Sequence, residues 1–336
     1  MRNVTIIGAG SFGTALATVL DTAGNNVQIW AREKEVVDSI NNNHRNPSYL
    51  SDIRLPASIK AYDDLEHCLR DQDMILFATP SHTLRELAAK IKPCLDGHEI
   101  LVTVSKGIEN DTFKTMLQIL VEVMEGVTLE DNIGVLYGPS HAEEVSHLKP
   151  TTVVAASYST RTARIIQETF LTPMFRVYLN NDIIGVEIGG SVKNIMAIAA
   201  GIIDSAELGD NAKAALITRG LHEMKRMGVM MGGYAETFSG LTGMGDLIVT
   251  CTSKHSRNRY VGSQIGLGKK LDEIIDSMNM VAEGIKTTKS VRDWAKRNNV
   301  DMPITCAVYR VLFENEDPKD ALNTLMTRDP KDEVSI

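Results

Sequence analysis

The sequence predicts an α/β doubly wound domain over residues 1–180, followed by an all-α domain over residues 181–336. Three observations carry that prediction. Short β-branched runs alternate with helical patterns from residue 4 to about 180, the β-runs stop beyond Asp182, and a glycine turn, GAGSFG at 8–13, joins the first run to the first helical pattern. Strand and helix in alternation imply βαβ units and a mainly parallel sheet covered on both faces. A chain of 336 residues is long enough for two ordinary cores. With no internal repeat or low-complexity linker in the sequence, the boundary near residue 180 rests on the change of period.

In chain order, VTII (4–7) is the first strand, SFGTALATVLDTAG (11–24) the first helix and NVQIW (26–30) the second strand. A helix over EKEVVDSI (33–40) follows, then a strand over MILFAT (74–79), a helix over LRELAAKI (84–91) and a strand over EILVTVS (99–105). The spacing of FKTMLQILVEVM (113–124) predicts another helix, NIGVLY (132–137) and TTVVAAS (151–157) two strands, STRTARIIQETF (159–170) a helix and FRVYL (175–179) the last strand. Beyond it come EIGGSVKNIMAIAAG, NAKAALITRGLHEMKRMGVMMG, RYVGSQIGLG, IKTTKSVRDWAKRNN and MPITCAVYRVLFEN, all with helical spacing, and then a polar tail.

Composition narrows the class. With 43% hydrophobic and 23% charged residues the chain has the make-up of a soluble globular protein, and no uninterrupted apolar run suggests a membrane span. The start, MRNVTIIGAG, lacks the layout of a signal peptide, and a cytoplasmic location is expected. Cys68, Cys94, Cys251 and Cys306 have no CxxC or Cys/His spacing, which fits reduced thiols and argues against a structural zinc or any other metal site. The net charge of −8 offers a polyanion no long-range attraction, so nucleic acid is not an expected partner.

Gly8, Gly10 and Gly13 form GxGxxG between a strand and a helix, with a second strand inside about 30 residues. The first glycine permits the tight turn, the second lets the backbone approach a pyrophosphate, and the third lets helix and strand pack, with the anion at the positive helix end. This is the Rossmann-type arrangement, and it predicts a dinucleotide. The second strand ends in VQIWARE; Arg32 at that tip suits a ribose 2′-phosphate, and the first acid, Glu33, comes later, which favours NADPH over NADH. Ligands of such sheets lie beyond the carboxyl ends of the strands. FATPSHT, VTVSKGIEN with Lys106, and VLYGPSHAEE with Gly138, Ser140 and Ala142 occupy those ends.

In the helical half, Lys193 sits in a long apolar helix and shares its face with Gly189, Ala197, Ala200, Gly201 and Asp204. A buried ammonium needs a partner or loses its proton. It either snorkels to water, pairs with an acid such as Asp204, or serves a site with Asn194 and Asp246 beside it. Further on, SGLTGMGDL places Asp246 after three glycines, and HSRNR concentrates Ser256, Arg257, Asn258 and Arg259 in the manner of a phosphate clamp.

Taken together, GAGSFGTALA, SKGIE, GPSHAEEV, VEIGGSVKNIMAIAAGI, TFSGLTGMGDLIVTCTSKHSRNR and VAEGIKT, with INNNHRNPSYLSDIRLP, closely resemble the bacterial type of NAD(P)-dependent glycerol-3-phosphate dehydrogenase. The match runs from residue 4 to roughly 310. The resemblance implies reversible reduction of dihydroxyacetone phosphate to sn-glycerol 3-phosphate, a phospholipid precursor, by a cytoplasmic protein that is commonly a homodimer. By matching position, Lys193 resembles the proton donor and acceptor, and Asp246 the acid beside it. Lys106, Gly138 and Ser140 resemble substrate contacts, Lys106 also lying near the nicotinamide, and Ser256, Arg257 and Asn258 resemble phosphate and hydroxyl ligands. Gly8, Gly10, Ser11, Phe12, Gly13, Arg32, Tyr49, Ala142, Arg257, Val281 and Glu283 match positions lining NADP or NAD. Phe12 stands where tryptophan or tyrosine is more usual, and the small face of Gly189, Ala197 and Gly201 is expected to make room for substrate or cofactor. Two competitors share parts of this pattern: a hydroxyacid or ketoacid reductase, which would lack the HSRNR clamp, and a non-catalytic dinucleotide sensor, which would have no use for the buried lysine.

Overall fold

The computed structural model describes residues 1–278, 280–330, 332 and 333; the last residues of the predicted helical domain, 334–336, lie outside the described ones. The first half runs β1 (Asn3–Ile7), α1 (Ser11–Thr22), β2 (Asn26–Trp30), α2 (Lys34–Asn43), β3 (Lys60–Tyr62), α3 (Leu65–Leu69), β4 (Met74–Phe77), α4 (Leu84–Ile91), β5 (Ile100–Thr103), α5 (Met116–Met124), β6 (Ile133–Tyr137), α6 (Ala142–Ser146), β7 (Thr151–Ser157), α7 (Thr160–Phe170) and β8 (Phe175–Asn180). The second half is helical: α8 (Ile183–Ser205), α9 (Asp210–Met230), α10 (Asp246–Thr252), α11 (Arg257–Gly266), α12 (Leu271–Asp276), α13 (Glu283–Arg297), α14 (Pro303–Phe313) and α15 (Pro318–Met326).

The strands join in one sheet in the order β3-β2-β1-β4-β5-β6-β7-β8. Every neighbouring pair is parallel except β6 with β7, which is antiparallel. Alternate residues of the central strands feed opposite faces: Val4, Ile6, Leu76 and Val102 enter one apolar cluster, whereas Ile7, Ile75, Phe77 and Leu101 enter the other. Burial on both faces is what makes these strands uniformly apolar in sequence. The strand order reverses at β1, between β2 and β4, so the turns after β1 and β4 lie side by side; a Cβ on Gly8, whose φ is +115°, would sit 2.8 Å from the Ala78 carbonyl oxygen. That reversal opens the crevice in which such folds hold ligands.

α8 is the axis of the helical half. Its 23 residues meet the length and hydropathy of a membrane-crossing helix, yet 94% of the apolar window is buried in this fold, which makes it a core helix. Asp182 caps it, accepting from the Gly185 N–H (2.9 Å), the Tyr234 N–H (2.8 Å) and the Thr237 hydroxyl (2.6 Å). The small face of α8 does not hold open space for a ligand as the sequence suggested. A Cβ on Gly189 would meet the Thr242 carbonyl oxygen at 2.6 Å and one on Gly201 the Arg259 carbonyl oxygen at 2.0 Å. These glycines bring neighbouring backbone into contact, Gly189 with the turn before α10 and Gly201 with α11.

Other departures are local. β3 and α3 are too short to show a period. α5 begins at Met116 and not at Phe113, because Phe113 takes a φ of +59° and Thr115 forms a capping box with Gln118. A π-helical turn over Leu241–Gly245 runs directly into α10 and turns its first residue, Asp246, inward.

Candidate active site

The glycine turn is built for an anion. Gly10 is the N-cap of α1 and offers no side-chain cap, so the N–H groups of the first turn are left for a ligand. A Cβ on Gly13 would lie 2.1 Å from the Gly8 carbonyl oxygen, while one on Gly10 would meet nothing within 4 Å. Gly13 therefore serves packing, as the spacing predicted, while Gly10 borders open space, and this cradle fits a dinucleotide pyrophosphate. The segment after α2 closes over it. The fully buried Asn46 amide donates to the Ala9 carbonyl (2.7 Å) and to the Thr14 hydroxyl (2.8 Å), and the Ser11 hydroxyl donates to the Tyr49 carbonyl (2.6 Å). Phe12 packs partly buried against the same core as Tyr49. Arg32 stands beyond the end of β2 with its side chain 83% exposed, held among the described residues by Glu33 alone at 2.9 Å. Ala142 begins α6, which packs on α1.

Across the crevice a charge cluster joins the two halves. The Lys193 ammonium donates to the Asp246 carboxylate and to the Thr250 hydroxyl (2.6 Å), and that hydroxyl donates to the Asp246 carbonyl (2.6 Å). Lys106, carried past the end of β5, donates to the other oxygen of Asp246 (2.7 Å) and to the Gly138 carbonyl (3.1 Å), and lies 5.6 Å above the Tyr137 ring. Two ammonium groups thus share one carboxylate that is 1% exposed. Asp204, the sequence's local alternative, binds Lys213 and Arg259 instead.

Burial pushes Lys193 down to about 8, with the Lys106 charge acting in the same direction and Asp246 opposing both. For Asp246, burial favours the neutral acid, but the two lysines outweigh it and hold the carboxyl below its ordinary range. The site therefore keeps a carboxylate ionised beside a lysine poised to exchange its proton near neutral pH.

The remaining predicted residues occupy the rim. Arg257, the first residue of α11, is exposed and makes no hydrogen bond or ion pair among the described residues, so its guanidinium is free for an anion. Ser256 caps α11, accepting from the Arg259 N–H (3.2 Å). Asn258 bridges α8 and α13, donating to Asn194 (2.9 Å) and accepting from the Gly284 N–H (2.8 Å). Ser140 donates to the Gly138 carbonyl (3.0 Å). Val281 leads into α13, whose first residue, Glu283, accepts from the Ser81 N–H (2.9 Å) and hydroxyl (2.5 Å) and so ties α13 to the turn after β4. Thr250, Asn46 and Ser81 escaped the sequence reading; only Thr250 carried a signal, lying four residues after Asp246 on one helix face. An apolar cavity of about 1020 Å³ between α8, α9, α14 and α15 includes none of these groups.

A glycine turn open at a helix N-terminus in a Rossmann-like half, joined through a buried lysine–aspartate–lysine cluster to a helical half, is the arrangement of an NAD(P)-dependent dehydrogenase. The comparisons agree. The model of the NAD-dependent glycerol-3-phosphate dehydrogenase N-terminus matches residues 3–163, and that of the C-terminus matches residues 182–323. A glycerol-3-phosphate dehydrogenase [NAD(P)+] of Salinibacter ruber is 52% identical over 98% of this chain and 96% of its own, and one of Chlorobium phaeobacteroides is 53% identical over 98% and 99%. The crystal structure of the glycerol-3-phosphate dehydrogenase of Coxiella burnetii superimposes with a TM-score of 0.92 at 39% identity, over 97% of this chain and 99% of that one. The chain belongs to the NAD-dependent glycerol-3-phosphate dehydrogenase family.

Proposed function

We propose that the protein interconverts dihydroxyacetone phosphate and sn-glycerol 3-phosphate, with Lys193 as the proton donor and acceptor at the C2 oxygen. The observation that carries this reading is the pair of lysines, one from each half, on the single buried carboxylate of Asp246. The glycine turn would hold NAD(P)H, which would supply the hydride for C2. In the reduction, negative charge grows on the C2 oxygen; the Lys193 ammonium stabilises that charge and delivers its proton, and solvent restores it. Asp246 holds the ammonium in place through Thr250 and its own carboxylate. Lys106 supports the same oxygen from the side of the sheet, while Arg257, with Ser256 and Asn258, receives the phosphate. In the oxidation, neutral Lys193 takes the hydroxyl proton.

Arg32, unpaired except by its neighbour, supports NADPH as the preferred coenzyme. A cytoplasmic homodimer supplying glycerol 3-phosphate to phospholipid synthesis completes the reading. The alternatives, a hydroxyacid reductase or a sensor, are not favoured, since family membership extends over both halves of the chain.

The experiment follows absorbance at 340 nm with NADPH or NADH and dihydroxyacetone phosphate, with unphosphorylated dihydroxyacetone as control. Oxidation that needs the phosphate, and that falls at least about 100-fold in Lys193→Ala while the coenzyme still binds, is the expected result. Undiminished turnover in Lys193→Ala would remove the mechanism.

A further inference from the structure

His141 sits at the N-cap of α6, one residue beyond Ser140 in the turn whose Gly138 carbonyl receives Lys106. Histidine is a poor helix cap, and its side chain makes no capping hydrogen bond here. The ring turns away from α6 and toward α10. There it is held against the Val249 backbone, and the charges that act on it are those of Lys193, Asp246 and Lys106. On its other side it approaches His255, with ring centroids 6.2 Å apart and planes at 50°. His255 directly precedes Ser256 and Arg257. His141 thus has the charge cluster of Lys193, Asp246 and Lys106 as one neighbour and the loop that leads into the proposed phosphate ligands as another.

One atom of this ring is out of balance. Nε2 is shielded from solvent and has no hydrogen-bond partner among the described residues. A buried polar nitrogen without a partner is unfavourable, and one that opens on a ligand site is paired when the ligand arrives. Burial first, and then the neighbouring lysine charge, push the imidazole down to about 4, so near pH 7 it is neutral. With its N–H turned to the Val249 backbone, the neutral ring leaves Nε2 as a lone pair that can accept from a substrate hydroxyl without adding a third cation beside Lys106 and Lys193.

We propose that His141 is a substrate-binding residue whose Nε2 accepts a hydrogen bond from a hydroxyl of the phosphorylated three-carbon substrate. The inference rests on the substrate reading above and adds a contact to it.

Steady-state kinetics of the full chain with dihydroxyacetone phosphate and NADPH tests it. His141→Phe keeps a flat ring and removes the nitrogen. It raises the KM for dihydroxyacetone phosphate by about 10-fold, the scale of one lost hydrogen bond, and leaves the KM for NADPH within 2-fold. His141→Asn, which keeps a polar group in reach, recovers part of the loss. Equal KM values in wild type and His141→Phe, or equal damage by Phe and Asn together with a shifted NADPH KM, overturn the proposal. A second measurement is independent of turnover. In protein labelled with ¹⁵N-histidine, glycerol 3-phosphate shifts the Nε2 resonance that disappears in His141→Phe; an unmoved resonance at saturating ligand overturns it equally. Wild-type turnover in the same assay reports on the substrate assignment separately, because a failure there appears before any variant is compared.

Discussion

Replacing Asp246 with asparagine removes one negative charge from between two ammonium groups and leaves the shape of the site intact. Lys193 starts at about 8. At pH 7.5 roughly three-quarters of the molecules therefore carry the proton needed for ketone reduction. An opposite charge in contact displaces a pKa by about 1–3 units, so its loss brings Lys193 to roughly 6 and leaves only about 3% protonated at pH 7.5. Reduction should then slow about 25-fold at pH 7.5 and recover as the pH approaches 6, while oxidation, which needs the neutral amine, should suffer less. The assay is the pH dependence of kcat in both directions for wild type and Asp246→Asn. Wild-type reduction should fall above about pH 8 and its oxidation should rise there, with the reduction limb of the variant displaced to lower pH. Superimposable profiles, or a loss that no pH restores, would refute the assignment of Asp246 as the group that sets the proton affinity of Lys193.

Other perturbations separate packing from binding. Gly10→Ala places a methyl in open space and should leave the melting temperature unchanged while weakening NADPH binding at least about 10-fold; Gly13→Ala, 2.1 Å from a carbonyl oxygen, should lower the melting temperature by several degrees. Arg32→Glu should cut kcat/KM for NADPH by at least about 10-fold relative to NADH, and an unchanged ratio would remove Arg32 from coenzyme choice. Glu187 is fully buried with one carboxylate oxygen unpaired, and burial pushes it up to about 7. Its folded-state value exceeds the ordinary 4.5, so the folded protein takes up a proton as the pH falls from 8 to 5 and gains stability, by up to about 3 kcal/mol. Glu187→Gln lacks this gain, and the melting temperature of wild type relative to the variant should rise across that interval.

The order of elements was legible because both sheet faces are covered. Runs such as MILF and ILVT, buried at every position, carry an unbroken apolar signal that turn residues bracket. β3, a three-residue edge strand with only its middle residue buried, carries none. The partner of Lys193 shows the harder limit. Sequence periodicity finds Asp204 on the same helix face, but Lys213 and Arg259 occupy it, and the true partner lies 53 residues away on another helix. Periodicity reports which residues share a face and not which faces meet. The glycines of α8 were misjudged for the same reason, since a small side chain makes room equally for a ligand and for a neighbouring helix. The glycine turn, by contrast, shows the close packing at Gly13 and the open space at Gly10 that its spacing suggests, because its geometry is set within a dozen residues.

Asp246 is held from two sides, by Lys193 of its own half and by Lys106 of the sheet. The hold is mechanical as well as electrostatic. Any hinge motion that draws the sheet away withdraws Lys106, leaves the carboxylate wholly to Lys193 and admits water, so that the lysine grips its proton more firmly. The shared carboxylate thereby links the acidity of Lys193 in the helical half to the position of a lysine carried by the sheet.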